Sequence, residues 1–475
     1  MTDFLLCNNR HRSGAHRIEL NRLDKLFYLF ERLGITSLSR IHFALSGGTI
    51  ERERMQRAYD RVCVRYPVLR ARLRERRGLL RWRAWWQPAA MPRNGDGVRW
   101  RDFSRCSMPE AETCFQRELL DPYAGYDVRR DPPFWLVVCR MPDGWRIIMF
   151  VHHAVTDAHG YALIARDLFL AYNSPATAVP AQPGAVAPGP PGRPGGLLRA
   201  CRELAGCLKE HRRHPPTKLL EGTCRSGGRV CAEQRTLTAG RLERCREAAR
   251  AQGVTFNDLL TAAQLLSICL FQHRRSRACD GISVQVHQNL RTAAEGSALP
   301  GNLFSTFPLL VCGHACADPA ALLQRVAAGG RAARQHKRAA ALAGAAALLD
   351  LGPVRRLYRW WGPALFANPQ AGDSTQVTNV GRLWAGTDGR PAITRVGDSR
   401  IESCHMIGPP VPSIGSYISF CTYGDRMFLS LNYYDWALTA GQARQLMDGY
   451  LQALDSLSHP GVCSRDKASR LAAAS

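Results

Sequence analysis

Apolar residues along the 475-residue chain return at two different spacings, and the spacing changes from one segment to the next. In NRLDKLFYLFERLG (21–34) they return every three or four positions before a glycine, which predicts an amphipathic helix with a glycine stop. RIHFALSG (40–47) alternates apolar and polar, the period of a strand. TIERERMQRAYDRVCVRYPVLRARL (49–73) is helical in spacing, breaks at Pro67 and leads into another strand. FWLVVCR (134–140) and WRIIMFVHH (145–153) flank the turn sequence MPDG and predict a hairpin. After Gly160, Tyr161, Ile164, Leu168 and Tyr172 recur at helical spacing. The histidine pair at 152–153 therefore stands where a strand hands over to a helix.

The second half has the same style. GRLERCREAARAQG (240–253) predicts a helix, and TFNDLLTAAQLLSICLFQH (255–273) an apolar helix capped by Thr255 or Asn257. GISVQVHQNLR (281–291) is a strand, an Ala-rich helical stretch spans about 318–348, and GSYISFCTYGDRMFLSLNYY (415–434) is a hairpin turning at YGD. Strands and helices mix without strict alternation, which predicts an α/β protein in the broad sense, built from two similar mixed-sheet layers.

Between the halves, residues 174–196 hold little but Pro, Gly and Ala, a composition that builds no core and reads as a tether. A short basic segment with leucines at helical spacing follows at 197–214. The expected organisation is a first lobe at 1–173, a linker and basic helix at 174–224, a second lobe at 225–460 and a tail at 461–475.

Composition narrows the class. With 45% apolar, 8% aromatic and 22% charged residues the chain is that of a soluble globular protein. No stretch offers about 20 uncharged apolar residues, and the N-terminus lacks an apolar signal core, so neither a membrane span nor a leader is expected. The 17 cysteines are scattered without a CxxC pair or metal-ligand spacing, the pattern of reduced thiols in a cytoplasmic protein. The 64 Lys and Arg against 39 Asp and Glu give a net charge of +25, which permits an acidic partner. The densest basic cluster, LRARLRERRGLLRWR (69–83), alternates with leucine like a strand pair. No nucleic-acid-binding motif accompanies it, so nucleic acid is not an expected partner.

The candidate chemistry lies in RIIMFVHHAVTDAHG (146–160). Histidine is the side chain best suited to take a proton near neutral pH, and a strand-to-helix loop presents it from a rigid support. Adjacent strand residues point to opposite faces, so His152 and His153 do not share a metal ion, and no metal site is expected. The same alternation gives them unequal tasks: one faces a cavity and the other anchors backbone behind it.

HHAVTDA (152–158) resembles the HHxxxDG signature of the chloramphenicol acetyltransferase-like superfamily. That group includes the condensation domains of nonribosomal peptide synthetases, stand-alone O-acyltransferases and wax ester synthases. Further matches fall in order along nearly the whole chain: LDKLFYLFE (23–31), RVCVRYPVLRARL (61–73), GVTFNDLLTAA (253–263), QNLRTAAEGSALPGNLFSTFPL (288–309), VTNVGR (377–382) and SYISFCTYGDRMFLSLNYY (416–434). The resemblance implies a two-lobed pseudo-dimer of mixed-sheet domains with an active-site tunnel between them, in a member of a length suited to standing alone. It implies His153 as general base, with His152 and Asp157 architectural and Asp157 paired with Arg291. Ala158 departs from the signature, which has glycine there. Alanine is the mildest replacement where φ stays negative, and Gly160 is a candidate to restore the lost freedom. Ala158 and Gly160 are thus the expected oxyanion region. The plant BAHD branch is disfavoured, since no DFGWG-like motif is present.

By the same resemblance, the acyl donor arrives in trans as acyl-CoA or as a phosphopantetheinyl acyl-carrier protein. The acceptor is a small-molecule alcohol or amine, the product an ester or amide, and no other cofactor is required. Two different readings compete. One is a catalytically silent, condensation-like protein that only binds a carrier or partner, motivated by Ala158. The other is a basic nucleic-acid-binding protein.

Overall fold

The structure, a computed structural model, describes residues 17–77, 82–89, 97–121, 125–174, isolated positions between 202 and 219, 228–291, 301–335, 352–367, 372–386 and 391–459. The expected tether beyond Ser174, most of the basic segment at 197–214, the end of the Ala-rich stretch and the tail lie outside them.

The first half runs β1 (Ile18–Glu19), α1 (Arg22–Arg32), β2 (Leu38–Ser46), α2 (Arg52–Arg65), β3 (Ala71–Arg77), β4 (Trp82–Pro88), β5 (Val98–Asp102), α3 (Met108–Leu120), β6 (Phe134–Met141), β7 (Gly144–His152) and α4 (Ala158–Asn173). The second half continues with β8 (Val230–Leu237), α5 (Ala239–Ala251), α6 (Phe256–His273), β9 (Gly281–Asn289), β10 (Phe304–Cys312), α7 (Pro319–Gln335), α8 (Gly352–Ala367) and β11 (Thr375–Arg382). It ends with β12 (Arg395–Val396), β13 (Ser399–Ile407), β14 (Ser416–Tyr423), β15 (Arg426–Tyr434) and α9 (Ala440–Ser458).

Local chemistry accounts for several boundaries. Asn21 and Asp24 cap α1 reciprocally, Asn21 N–H donating to the Asp24 carboxylate and Asp24 N–H to the Asn21 side chain. Thr255, rather than Asn257, caps α6 in the same way with Asp258. Pro67 follows the end of α2 and opens a single 3₁₀ turn into β3. In the β6–β7 hairpin Gly144 adopts φ +143°, and an added Cβ would stand 2.3 Å from the Leu45 carbonyl oxygen, so only glycine fits.

Among the described residues the strands form two six-stranded mixed sheets and one small three-stranded sheet. The second-lobe sheet has the order β10-β9-β11-β14-β15-β8, and the first-lobe sheet the order β12-β13-β2-β7-β6-β5. The latter order departs from the expected assignment of 225–460 to the second lobe. Strand β13 comes from the late chain yet pairs antiparallel with β2, His405 opposite His42 and Cys404 opposite Phe43. Its side chains complete the first core: Ile401, Cys404 and Met406 join Phe43, Phe169 and Trp384 in one buried cluster. The donated strand also touches its own half, because Ser419 Oγ donates to the Met406 carbonyl at 2.9 Å. The two large sheets are therefore joined at their seam, where a further buried cluster also packs Trp135 and Phe150 of the first half with Val230 and Tyr434 of the second.

Because the first core is closed by residues almost 360 positions away from β2, the two halves should unfold together (Ser46 lies opposite Arg400). Phe43→Ala is expected to cost about 3–5 kcal/mol through the cavity it leaves against Phe169 and Trp384. Guanidinium titrations followed by fluorescence and by far-ultraviolet circular dichroism should show one coincident transition, displaced as a whole in the variant. Two separated transitions would show that the lobes are independent.

Candidate active site

The site is assembled where the β7–α4 turn meets the segment after β9. His152, the last residue of β7, is fully buried. Its Nδ1 accepts from the Ala154 N–H at 3.1 Å, so its proton sits on Nε2, which faces Glu31 Oε2 at 3.3 Å. Glu31 also accepts from the Ser37 N–H, so this histidine ties the end of α1 to the start of β2. His153 turns the other way, into the space between the lobes, while its N–H donates to the Ser37 carbonyl at 2.7 Å.

That space is a cavity of about 1100 Å³, counting its open mouth. The first lobe contributes Phe27, His153 and Tyr161 to its wall, and the second His287, Phe304 and Thr378. Phe27 lies flat on the imidazole of His153, with ring centroids 3.7 Å apart and planes 16° from parallel. Burial pushes the His153 pKa down to about 4, so the ring is neutral at physiological pH.

Its tautomer follows from its neighbours. Asn302 Nδ2 donates to Asp24 Oδ1 at 2.8 Å and to the His153 carbonyl at 2.7 Å, which places Asn302 Oδ1 against His153 Nδ1 at 3.2 Å. The amide oxygen accepts only, so Nδ1 carries the proton and Nε2 keeps its lone pair. A chain thus runs from Asp24 on α1, through Asn302 of the second lobe, to His153. Burial raises the Asp24 pKa to about 7, against the hydrogen bonds from Asn302 and Asn21 that lower it.

Asp157 stands at the N-cap of α4 and borders the cavity, but both its carboxylate oxygens are taken up by protein donors. Its Oδ1 accepts from the Gly160 N–H at 3.1 Å, and its Oδ2 from Arg291 Nη1 at 2.7 Å and the Leu303 N–H at 2.9 Å. Arg291 also donates through Nη2 to the Gly301 carbonyl at 2.6 Å, and its side chain is almost wholly buried. Thr156 Oγ1 accepts from the Gly301 N–H at 2.7 Å, adding another bond between the two segments.

Ala158 is the first residue of α4 and lines the cavity. It has negative φ, since only Ser276 and Trp384 among the described non-glycine residues are positive. Alanine is therefore unstrained there, and its N–H occupies a helix position that no intrahelical carbonyl can reach. Gly160 does not have the expected role. Its N–H is bound by Asp157, its φ is not positive, and a Cβ would lie 1.7 Å from Thr156 Oγ1. Its lack of a side chain makes room for Thr156 and supplies neither backbone freedom nor an oxyanion donor.

Sequence reasoning did not single out His287, Asn302 or Asp24. His287, on β9, is a second half-buried imidazole in the cavity wall, with its pKa lowered to about 4 by desolvation. Its Nδ1 sits 3.1 Å from both the Val377 carbonyl and Thr378 Oγ1. A signal was present: Ser283, Gln285 and His287 alternate with the core residues Val284 and Val286, a polar face on an otherwise apolar strand. Among the described residues no cluster of His, Cys, Asp and Glu is arranged to hold a metal.

No family model matches the chain, and no curated protein matches it in sequence. Solved structures do match. The first condensation domain of the calcium-dependent antibiotic synthetase, in complex with a substrate analogue, superimposes with a TM-score of 0.67 at 17% identity, covering 93% of this chain and 97% of that one. This chain has the condensation-domain fold. The EpoB cyclization-docking bidomain from Sorangium cellulosum gives a TM-score of 0.64 at 14% identity, covering 94% of this chain and 85% of that chain. The epimerization domain from the third module of tyrocidine synthetase B gives 0.59 at 13% identity, with 95% and 99% covered. The fold thus spans both lobes, and the cavity of this condensation-domain-like chain lies between them.

Removing one partner of the buried ion pair should be costly. Arg291→Ala is expected to destabilise the protein by about 3–5 kcal/mol, because it strands the Asp157 carboxylate away from water. Loss of that magnitude should appear in the denaturant midpoint, whereas a change below about 1 kcal/mol would place the pair among surface-like bridges. A pH dependence follows from His153, His287 and His405, each with its pKa lowered to about 4 by loss of solvation. Their folded pKa lies below the unfolded value of 6.5, so the unfolded chain binds more protons in between. Stability contributed by these groups is present above about pH 6.5 and is lost as pH falls toward about 4. His287→Gln should shallow that slope in melts recorded from pH 7 to 4.5; an unchanged slope would remove His287 from the account.

Proposed function

We propose that the protein is an acyltransferase that moves an acyl group from a thioester to a hydroxyl or amine. The observation that carries this reading is a neutral, half-buried histidine, His153, with its tautomer set by Asn302 and its free nitrogen left for a cavity between two lobes. A base in that state accepts a proton without first losing one.

The steps then balance as follows. Nε2 of His153 takes the proton from the acceptor O–H or N–H as the acceptor's electron pair attacks the thioester carbonyl. The carbonyl oxygen becomes an oxyanion, for which the Ala158 N–H at the start of α4 is the best-placed donor. Collapse of the tetrahedral intermediate re-forms the carbonyl, breaks the C–S bond and expels the thiol, which takes the proton back from His153. Asp24 and Asn302 act through His153: they hold its proton on Nδ1 and its ring in place. Asp157 and Arg291 touch no reacting atom and fix the turn that carries His153 and Ala158.

The donor is acyl-CoA or an acyl group on a phosphopantetheinyl carrier protein, both of which bring negative charge to a chain of net charge +25. The condensation-domain fold of the synthetase structures supports this choice of donor class. The cavity takes small alcohols or amines as acceptors, and the chemistry needs no further cofactor.

The test is a panel of acyl-CoA and acyl-carrier thioesters with alcohol and amine acceptors, followed by mass spectrometry of the product. With an active pair in hand, His153→Ala should lower turnover by about 10²–10⁴-fold. Because the pKa of His153 is held near 4, kcat/KM should stay level down to about pH 5. Asn302→Ala, which frees the ring, should lower kcat with little change in KM. An unchanged rate in His153→Ala would falsify the mechanism and favour a catalytically silent binding protein.

A further inference from the structure

Helix α8, GPVRRLYRWWGPALFA, is amphipathic in an inverted sense. The face it turns to the protein carries Arg355, Tyr358 and Gly362. The Arg355 guanidinium lies 5.4 Å from the Trp82 ring centroid, Tyr358 packs on the first core, and a Cβ on Gly362 would come within 3.0 Å of Leu33 on the α1 side. The opposite face carries Leu357, Trp360 and Trp361, spaced i, i+3 and i+4, at 59%, 84% and 67% exposure. Surface helices normally turn such a stripe inward. Among the described residues, six large apolar side chains are exposed, and three of them sit on this one helix.

The composition says what the stripe meets. The 16 residues of α8 include three arginines and no Asp, Glu, Asn, Gln, Ser or Thr. A protein interface surrounds its apolar centre with a polar, hydrogen-bonding rim, and the described exposed residues of this helix, Pro353, Arg356, Leu357, Trp360, Trp361 and Ala364, include no neutral polar side chain. A second copy of the chain would also bring another +25 charges to the contact. Arg355 is turned inward onto Trp82, while Arg356 is exposed and precedes Leu357 of the stripe. Tryptophan and leucine on one face with an arginine beside them is the composition that settles at a bilayer surface, rings at the headgroup level and guanidinium on phosphate. We infer that the exposed face of α8 docks the protein on an anionic lipid surface. The helix lies in the plane of the interface; no single helix among the described residues is long and apolar enough to cross a membrane. Since α8 contacts the end of α1, and α1 supplies Phe27 to the cavity wall, docking brings that side of the cavity toward the lipid.

This inference stands apart from the acyltransferase reading, because its readout involves no turnover. Co-sedimentation of the full chain with phosphatidylcholine vesicles, with and without phosphatidylglycerol, is the experiment. The expected result is binding to the anionic vesicles, weaker binding to the neutral ones, and release as salt rises. The double variant Trp360→Glu/Trp361→Glu, checked for an unchanged melting curve, should weaken binding by at least about a hundredfold, the loss of two buried indoles. A milder Trp360→Ala/Trp361→Ala pair guards against misfolding of the first and should lose binding in the same direction. Equal vesicle binding by wild type and both variants, or no binding by wild type, overturns the inference. So does a lipid-free wild-type dimer that the variants convert to monomer, which would assign the stripe to a second copy of the chain.

Discussion

The carboxylate of Asp157 is the point on which the arrangement turns. Three donors from different parts of the chain converge on it: the Gly160 N–H of α4, the Arg291 guanidinium and the Leu303 N–H. The first starts a helix, and the other two bring in the strand segments of the opposite lobe. A buried carboxylate without such partners would be expensive, and with them it locks the β7–α4 turn to Arg291 and Leu303. Geometry at His153 inherits this lock. Asn302 reaches the imidazole only because its neighbours Gly301 and Leu303 are held against Thr156 and Asp157.

The histidine pair divides along the same line. His152 spends both ring nitrogens on protein groups and leaves nothing for a ligand. His153 spends one on Asn302 and is pressed under Phe27, a contact that takes water from the ring and keeps it neutral. Strand alternation alone separates the two tasks; tertiary packing decides how each is carried out.

Most elements were legible in local spacing, and the strand-to-helix position of His153 was among them. What escaped was contact across long stretches of chain. His153 and Asn302 are 149 positions apart, and Asn302 and Asp24 are 278 apart, so neither bond leaves any periodicity to read. The sheet of β13 escaped for a related reason. SRIESCHMI alternates well enough to be a strand, but its partner β2 lies in the first tenth of the chain, and alternation does not say which sheet a strand will join. A division into consecutive lobes assumes that neighbours in sequence pair in space, and at β13 the late chain crosses back.

The exchange of glycine for alanine at position 158 shows how far a signature letter and its physical content can separate. A glycine is indispensable where φ is positive or where a Cβ would collide. Position 158 has negative φ, as the first residue of a helix, and alanine is a better helix former than glycine there. Two residues on, position 160 does demand glycine, because Thr156 fills the volume of its missing side chain. Thr156 in turn holds Gly301, so the requirement at 160 protects the bond between the lobes. The backbone N–H of residue 158, the group an oxyanion would use, is the same in alanine as in glycine. What alanine adds is a methyl group at the cavity wall; under the proposed acyl transfer, that would bear on which carbonyl substituent fits beside His153 rather than on whether the carbonyl can be held.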